Sequence, residues 1–526
     1  MKTNIEKKKA LLLGDDAIGR GAIEAGISFA TSYPGTPATQ IIEYLARNFD
    51  GKVEWAINEK VALETAVGVS YTGRRSLCSM KHVGLNVAAD PLMTAAYLGV
   101  QGGLVILVAD DPGAFSSQNE QDTRYYVNFA MIPCLEPCDG QEAKEMMITA
   151  FDLSEKMGLP VIVRVVTRIC HASTVVELGD IRPQNPISIQ KNPSKMIAVP
   201  SNVLRCHKIL NEKQAELRQW SEDSGLNRVY KNGQKKGIIA CGLGYAYAKE
   251  YGDEFAILKI SAYPFDEKLI ANFVKDIDEV WVLEEGYPFV EGIVRRHSSN
   301  VKGKISGEIP AEGELGPDVM AGYVKGWDKP AAPPSFLNTL PPRPPVMCQG
   351  CSHRDFYKSL IAAKPTFTAG DIGCYTLGAS PPLFALDTCL CMGAGIGQAA
   401  GMSHQGIKRV AAIIGDSTFL HSGITALISA VYNKANILVA ILDNASVAMT
   451  GHQPTPLTGI TAKGEQGGKV SLEEICKACG ATSISVVDPM DHEKTESILK
   501  EKLDTEGVNV VIARRACIHV AKKKKK

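Results

Sequence analysis

This chain has no excess of either charge. Lys plus Arg and Asp plus Glu number 57 each, so the formal net charge is zero and no basic field is available to hold nucleic acid. It also lacks any apolar run long enough to cross a bilayer. Basic residues stand near the start, but the apolar run behind them, Ala10-Leu11-Leu12-Leu13, is ended by Gly14-Asp15-Asp16 and is too short for a secretory signal. The 14 cysteines are spread over 526 residues, which suits thiols or metal ligands and not a disulfide framework. There is no short internal repeat. What remains is a chain with 45% hydrophobic and 22% charged residues, as globular proteins have. Its length predicts two to four domains, and these absences together predict a cytoplasmic protein with no membrane and no nucleic-acid partner. The run Lys522 to Lys526 reads as a solvated tail.

Apolar runs alternate with helical segments through residues 1–190, with strands expected at 10–13, 103–109 and 160–166. That alternation is α/β patterning. Residues 191–235 are polar and helix-like around 203–220, and read as a connector. A second α/β unit covers 236–328, with strands expected at 237–241, 256–260 and 279–283. Pro330, Pro333, Pro334, Pro341, Pro342, Pro344 and Pro345 mark 329–345 as an extended boundary. A last α/β unit runs over 346–526.

The most informative stretch lies in that last unit. Val410-Ala411-Ala412-Ile413-Ile414 delivers Gly415-Asp416-Ser417. After a segment of helical period, Ile437-Leu438-Val439-Ala440-Ile441-Leu442 delivers Asp443-Asn444. Two short apolar runs around a helix make a βαβ unit. Its polar residues therefore stand at the carboxyl ends of parallel strands, where open α/β sheets bind ligands. Oxygen ligands such as Asp416, Asn444 and Ser446 at such an edge suit Mg²⁺ held jointly with a phosphate. An ordinary turn with surface polar residues is the alternative.

Two glycine patterns differ in weight. Gly242-Leu243-Gly244 follows a strand, yet the next strand ends at Lys259-Ile260-Ser261, without the acidic residue that holds a ribose, so it reads as tight turn packing. Gly393-Ala394-Gly395-Ile396-Gly397 opens a helix, and Gly393 and Gly395 would allow close backbone approach to a cofactor.

The Gly415-Asp416-Ser417 … Asn444 spacing resembles the thiamine diphosphate fingerprint, Gly-Asp-Gly followed after a fixed gap by Asn, with Ser at 417 as the departure. Such a site needs a second half, a carboxylate beside the aminopyrimidine that promotes removal of the thiazolium proton. Asn58-Glu59-Lys60-Val61-Ala62-Leu63-Glu64 looks like that segment at the start of a packed helix. Glu59 matches the catalytic position, and Glu64 reads as a helix-surface carboxylate.

Longer strings extend the resemblance to nearly the whole chain. They are Tyr33-Pro34-Gly35-Thr36-Pro37, Lys81-His82-Val83-Gly84-Leu85-Asn86, Asp110-Asp111-Pro112-Gly113, residues 116–124, Gly370-Asp371-Ile372-Gly373-Cys374-Tyr375 and Thr450-Gly451-His452-Gln453. They are similar to the large subunit of indolepyruvate:ferredoxin oxidoreductases, in the wider 2-oxoacid:ferredoxin oxidoreductase superfamily. The resemblance implies three doubly wound parallel-sheet domains: pyrimidine-binding, transketolase-C-like and diphosphate-binding. It implies oxidative decarboxylation of an arylpyruvate-type 2-oxoacid to an acyl-coenzyme A. Coenzyme A would be co-substrate, and electrons would pass to ferredoxin or a ferredoxin-like subunit. A small β subunit would complete a dimer of heterodimers. Thr36 would contact substrate and Arg124 would pair with the 2-oxoacid carboxylate; His82 and His452 would be polar loop residues or proton carriers. Cys348, Cys351, Cys374 and Cys517 match the four ligands of a [4Fe-4S] cluster, whereas Cys476 and Cys479 read as core-facing or inert and Cys389 and Cys391 as packed near the cofactor. The resemblance also implies a cysteine-dense, ferredoxin-like carboxyl-terminal domain, from which this sequence departs after Cys517, so the electron exit is expected to lie with another subunit or with ferredoxin docking directly. A non-oxidative decarboxylase and an inactive scaffold are the alternatives; Glu59 with Asp416 and Asn444 argues against the second.

Overall fold

Strands that are buried on both faces are built from unbroken β-branched and aliphatic runs, and this chain has several. The computed structural model describes residues 8–326, 340–341 and 345–523. Of the proline-rich boundary only Pro341 and Pro345 fall among them. Pro330, Pro333, Pro334, Pro342 and Pro344 lie outside the described residues, as does the tail from Lys524. The chain forms two units, Met1–Leu340 and Pro341–Lys526.

The first unit holds three sheets. Strands β1 (Lys9–Leu13), β2 (Phe29–Ser32), β3 (Lys52–Trp55), β4 (Ser76–Lys81), β5 (Leu104–Asp110), β6 (Cys134–Leu135), β7 (Val161–Val166) and β8 (Ser173–Glu177) come first in the chain. They are followed by β9 (Arg228–Tyr230), β10 (Lys236–Cys241), β11 (Ala256–Ile260), β12 (Ala262–Tyr263), β13 (Glu279–Leu283) and β14 (Val301–Lys302). The largest sheet has the order β12-β6-β7-β5-β4-β2-β3 and is parallel except for β12. A second sheet has the order β14-β13-β10-β11-β9, parallel except for β9. The strand expected at 10–13 exists, but β1 joins neither large sheet. It pairs antiparallel with β8 in a separate two-stranded ribbon.

The first two expected domains pack as one unit, and the reason is physical. Strand β12 follows β11 of the second sheet in the chain but pairs with β6 of the first. One buried apolar cluster then runs through both, from Ile106, Ile132 and Cys134 to Ile239, Leu258, Phe265 and Val282. The expected connector contains a long helix, Pro200–Asp223, with proline at its first turn, where the missing N–H is not needed.

The second unit adds β15 (Phe367–Gly370), β16 (Thr388–Cys389), β17 (Val410–Gly415), β18 (Ile437–Asp443), β19 (Ser483–Val487) and β20 (Val508–Arg514). They form one all-parallel sheet of order β16-β15-β17-β18-β20-β19. Strands β17 and β18 are buried along their whole length. Separate apolar clusters cover the two faces, one around Ile396, Phe419 and Leu427, the other around Phe356, Tyr357 and Leu499. Among the described residues no helix is long and apolar enough to cross a membrane.

Candidate active site

In the first unit the three marked loops leave the carboxyl ends of adjacent strands. Tyr33–Pro37 follows β2, Lys81 ends β4, and Asp110 ends β5, with β4 between the other two. Glu59 opens the helix Glu59–Ser70 just beyond β3. Asn58 caps that helix by accepting from Val61 N at 2.8 Å, so the first turn does not depend on Glu59 for its cap. Glu59 is 4% exposed. Its carboxylate lies against Gly84, where an added Cβ would stand 2.6 Å from Oε1. Gly84 thus makes room for the carboxylate, a role its place in a marked string does not announce. Glu64, by contrast, is 46% exposed and ion-paired with Lys60 on the helix surface, as expected.

Asp111 organises the loop after β5. It accepts from Ser116 N at 2.8 Å, Ser117 Oγ at 2.7 Å and Thr167 Oγ1 at 2.7 Å. Burial alone would raise its carboxyl, but these bonds outweigh burial and hold it below the usual range. Ser116 Oγ donates to the carbonyl of Thr36 at 3.2 Å, and Lys81 Nζ donates to the carbonyl of Ser116 at 2.8 Å. His82 is buried, with Nε2 3.1 Å from Asn119 O and Nδ1 without a partner. Burial lowers its imidazole below the ordinary value, so it stands neutral.

Arg124 is the clear departure from expectation. It is 1% exposed and enclosed by its own chain. Nε and Nη2 donate to Asp122 at 2.9 and 2.5 Å, and Nη1 donates to Glu284 Oε2 at 2.7 Å. Nη2 also reaches the carbonyls of Glu285 at 2.8 Å and Tyr287 at 3.0 Å. Arg164 extends the network to Asp110 at 2.7 Å and Glu136 at 2.5 Å. Burial would raise the Asp122 carboxyl, but Arg124 and Arg164 together take it down to about 2. Glu284 ends above the usual range, because burial outweighs Arg124 and two backbone amides. The guanidinium that was expected to meet a substrate carboxylate is already committed. It joins the loop after β5 to the segment after β13.

In the second unit Gly415-Asp416 ends β17 and Asp443-Asn444 ends β18, side by side in parallel register. Asp416, Asn444 and Ser446 are all buried. Asp416 Oδ1 accepts from Ser417 N at 2.8 Å. Asp416 Oδ2, Asn444 Oδ1 and Ser446 Oγ have no hydrogen-bond partner. Three buried oxygens without donors are costly unless something binds them. Burial, with Asp443 nearby, pushes the Asp416 carboxyl up to about 8. A divalent cation would reverse that. Asp443 itself is held by Arg514 Nε at 2.6 Å.

Asp371, after β15, was not assigned a role by sequence reading. It accepts from Ile372 N at 2.6 Å and Gly393 N at 2.7 Å, and burial pushes it up to about 8. It therefore pins the glycine turn. Gly393 has φ +86°, and a Cβ on Gly395 would meet the carbonyl of Gly370 at 3.0 Å. Both glycines are required by the chain's own packing.

Cys348, Cys351, Cys374 and Cys517 line one cavity of about 180 Å³, together with His353, His452 and His519. Cys348 Sγ lies 3.4 Å from His519 Nε2, and Cys517 Sγ 3.9 Å from His452 Nδ1. Burial first, then the other three thiols, pushes the Cys374 thiol up to about 11. The sulfurs share the cavity without converging: among the described residues no three His, Cys, Asp or Glu side chains are placed to hold a metal ion. Cys476 is buried on the helix Leu472–Ala478. Cys389 and Cys391, expected to be packed, are exposed, because β16 is a two-residue edge strand.

Comparison with known proteins gives concordant matches. Residues 20–221 match the family described as pyruvate flavodoxin/ferredoxin oxidoreductase, thiamine diphosphate-binding, and residues 371–513 match the carboxyl-terminal thiamine pyrophosphate-binding domain of thiamine pyrophosphate enzymes. The chain is 43% identical to the indolepyruvate oxidoreductase subunit IorA of Archaeoglobus fulgidus, over 97% of this chain and 87% of that one. Identity to the subunit of the same name from Methanothermobacter thermautotrophicus is 39%, over 98% and 87% of the two chains, and to that from Pyrococcus abyssi 40%, over 97% and 86%. A 2-oxoglutarate:ferredoxin oxidoreductase from Magnetococcus marinus shares the fold, with TM-score 0.51 and 17% identity over 61% of this chain and 65% of that one.

Proposed function

This chain belongs to the indolepyruvate oxidoreductase IorA family, and from that premise we propose that it is the thiamine diphosphate-binding subunit of an enzyme that oxidises arylpyruvates. The overall reaction takes a 2-oxoacid, coenzyme A and two oxidised ferredoxins to an acyl-coenzyme A, carbon dioxide, two reduced ferredoxins and a proton. The observation that carries the assignment of the cofactor's place is the trio of buried oxygens without partners, Asp416 Oδ2, Asn444 Oδ1 and Ser446 Oγ, at adjacent strand ends. They fit Mg²⁺, which takes oxygen ligands and bridges to phosphate.

When bound, thiamine diphosphate supplies the nucleophile and electron sink that this chain's side chains lack. The chain's part is to hold and to move protons. Asp416, Asn444 and Ser446 would anchor the metal and diphosphate, with Gly415 and Ser417 in the same turn. Asp371 holds the turn at Gly393 by accepting from its backbone N–H. Glu59, buried at the start of a helix that Asn58 caps, would hold and pass a proton at the aminopyrimidine. Thr36 would meet the substrate. Cys348, Cys351, Cys374 and Cys517 supply the number and type of ligand that a [4Fe-4S] cluster takes, around one cavity, and a cluster there would carry electrons singly.

The direct test is anaerobic co-purification with the small partner subunit, followed by turnover of indolepyruvate with coenzyme A, ferredoxin, Mg²⁺ and thiamine diphosphate. Reduction of ferredoxin that needs the partner, the cofactor and coenzyme A together is the expected result. Release of the aldehyde with no acceptor reduced would replace this reading with a non-oxidative decarboxylase.

A further inference from the structure

With Arg124 committed to Asp122 and Glu284, a 2-oxoacid carboxylate still needs a cation. An anion taken out of water is costly unless it is paired and hydrogen-bonded. The three loop segments at this sheet edge, 33–37, 81–86 and 110–124, hold two Lys or Arg side chains, Arg124 and Lys81. His82 is turned neutral by burial. Arg164, behind the edge, is taken by Asp110 and Glu136. We propose that Lys81 is the residue that takes the carboxylate of the 2-oxoacid, the place first expected of Arg124.

Geometry supports this assignment. Lys81 is the last residue of β4, at the ligand-binding edge, between the loops from β2 and β5. Its methylenes lie along Gly35, where an added Cβ would stand 3.2 Å from Cδ, next to Thr36. Its ammonium donates to Ser116 O, and Ser116 Oγ in turn donates to Thr36 O. Among the described residues no carboxylate lies within ion-pair distance of that ammonium; Asp111 and Glu59 act on it only at longer range. Asp111 is itself fully engaged by Ser116, Ser117 and Thr167. Lys81 is 8% exposed, and burial lowers its ammonium to about 8. A carboxylate partner would raise it again and restore the desolvated charge. A compact ammonium on a flexible stem can reach a carboxylate without the fixed fork that Arg124 has already used.

This inference rests on the 2-oxoacid reading above. Its test uses the complete enzyme with partner subunit, thiamine diphosphate and Mg²⁺. Affinity and KM are measured for phenylpyruvate and for its uncharged methyl ester. In Lys81→Met the preference for acid over ester is expected to shrink by about 10- to 100-fold, the range of a lost charge-assisted hydrogen bond. Cofactor affinity and exchange of the thiazolium proton should stay as in the parent. Lys81→Arg should keep most of the preference. An unchanged preference in Lys81→Met, or equal weakening of acid and ester, overturns the assignment. A measurement on the parent chain serves if the variant does not fold. Phenylpyruvate, but not the ester, should protect Lys81 from acetylation, read by peptide mass, and equal labelling with both refutes the role. Failure of the parent to bind any arylpyruvate overturns the functional reading itself, and Lys81 with it.

Discussion

Replacing Arg124 with Leu separates architecture from substrate binding. The substitution removes a guanidinium that is 1% exposed and leaves Asp122 and Glu284 buried beside an apolar side chain. Breaking a buried ion pair by deleting one partner costs about 3–5 kcal/mol. Two features place this case at the lower end. Asp122 keeps Arg164 at 3.6 Å, and Glu284 keeps the amides of Val290 and Glu291 at 2.9 Å each. A loss of about 3 kcal/mol, set against the large unfolding entropy of a unit as long as Met1–Leu340, should lower its melting temperature by about 4 °C in calorimetry. The pH dependence has a definite sign. Asp122 is depressed in the fold to about 2 from an unfolded value near 4, so its contribution is complete above pH about 4 and is lost as pH falls toward 2. Arg124→Leu should flatten that acid limb. A variant as stable as the parent, with a raised KM for the 2-oxoacid, would refute the architectural reasoning and return Arg124 to the substrate.

Three further outcomes follow from the site. Asp416→Ala should abolish Mg²⁺-dependent thiamine diphosphate binding in calorimetry; unchanged affinity would remove the metal from the ends of β17 and β18. Glu59→Gln should bind the cofactor normally yet slow thiazolium proton exchange by about 10²–10⁴-fold, read by NMR in heavy water, and parental exchange would make Glu59 structural. Cys517→Ala should lower iron content and absorbance near ~400 nm in anaerobically prepared protein while sparing cofactor binding; full iron content would dissolve the four-cysteine assignment.

Strands and their edges were legible where a residue's neighbours in sequence decide its fate. The runs around 256–260, 279–283, 410–414 and 437–442 became strands because parallel strands buried on both faces need unbroken apolar residues. Glu64 was legible as a surface carboxylate because its partner Lys60 lies one helical turn away. Pairings between distant segments were not legible. Ala10-Leu11-Leu12-Leu13 reads as a core strand, and only the distant β8 makes it part of a ribbon. β12 has two residues, too few to carry a period, yet it ties the first two sheets into one unit.

The same division explains the site. Asp416 and Asn444 could be placed from sequence because each follows its strand directly, and strand ends of parallel sheets face ligands. Arg124 could not, because its fate depends on Glu284, a residue 160 positions away. In isolation, an arginine after a polar loop fits a substrate carboxylate as well as it fits a buried acid. Burial decides between the two: a guanidinium with two carboxylates and two carbonyls around it would have to give up strong hydrogen bonds to take a third anion. Lys81 carries the opposite signature, one carbonyl partner and carboxylates only at longer range, so an incoming carboxylate would add a strong partner at the loss of a weak one. Substrate recognition at this edge therefore follows from which cation the fold leaves uncommitted.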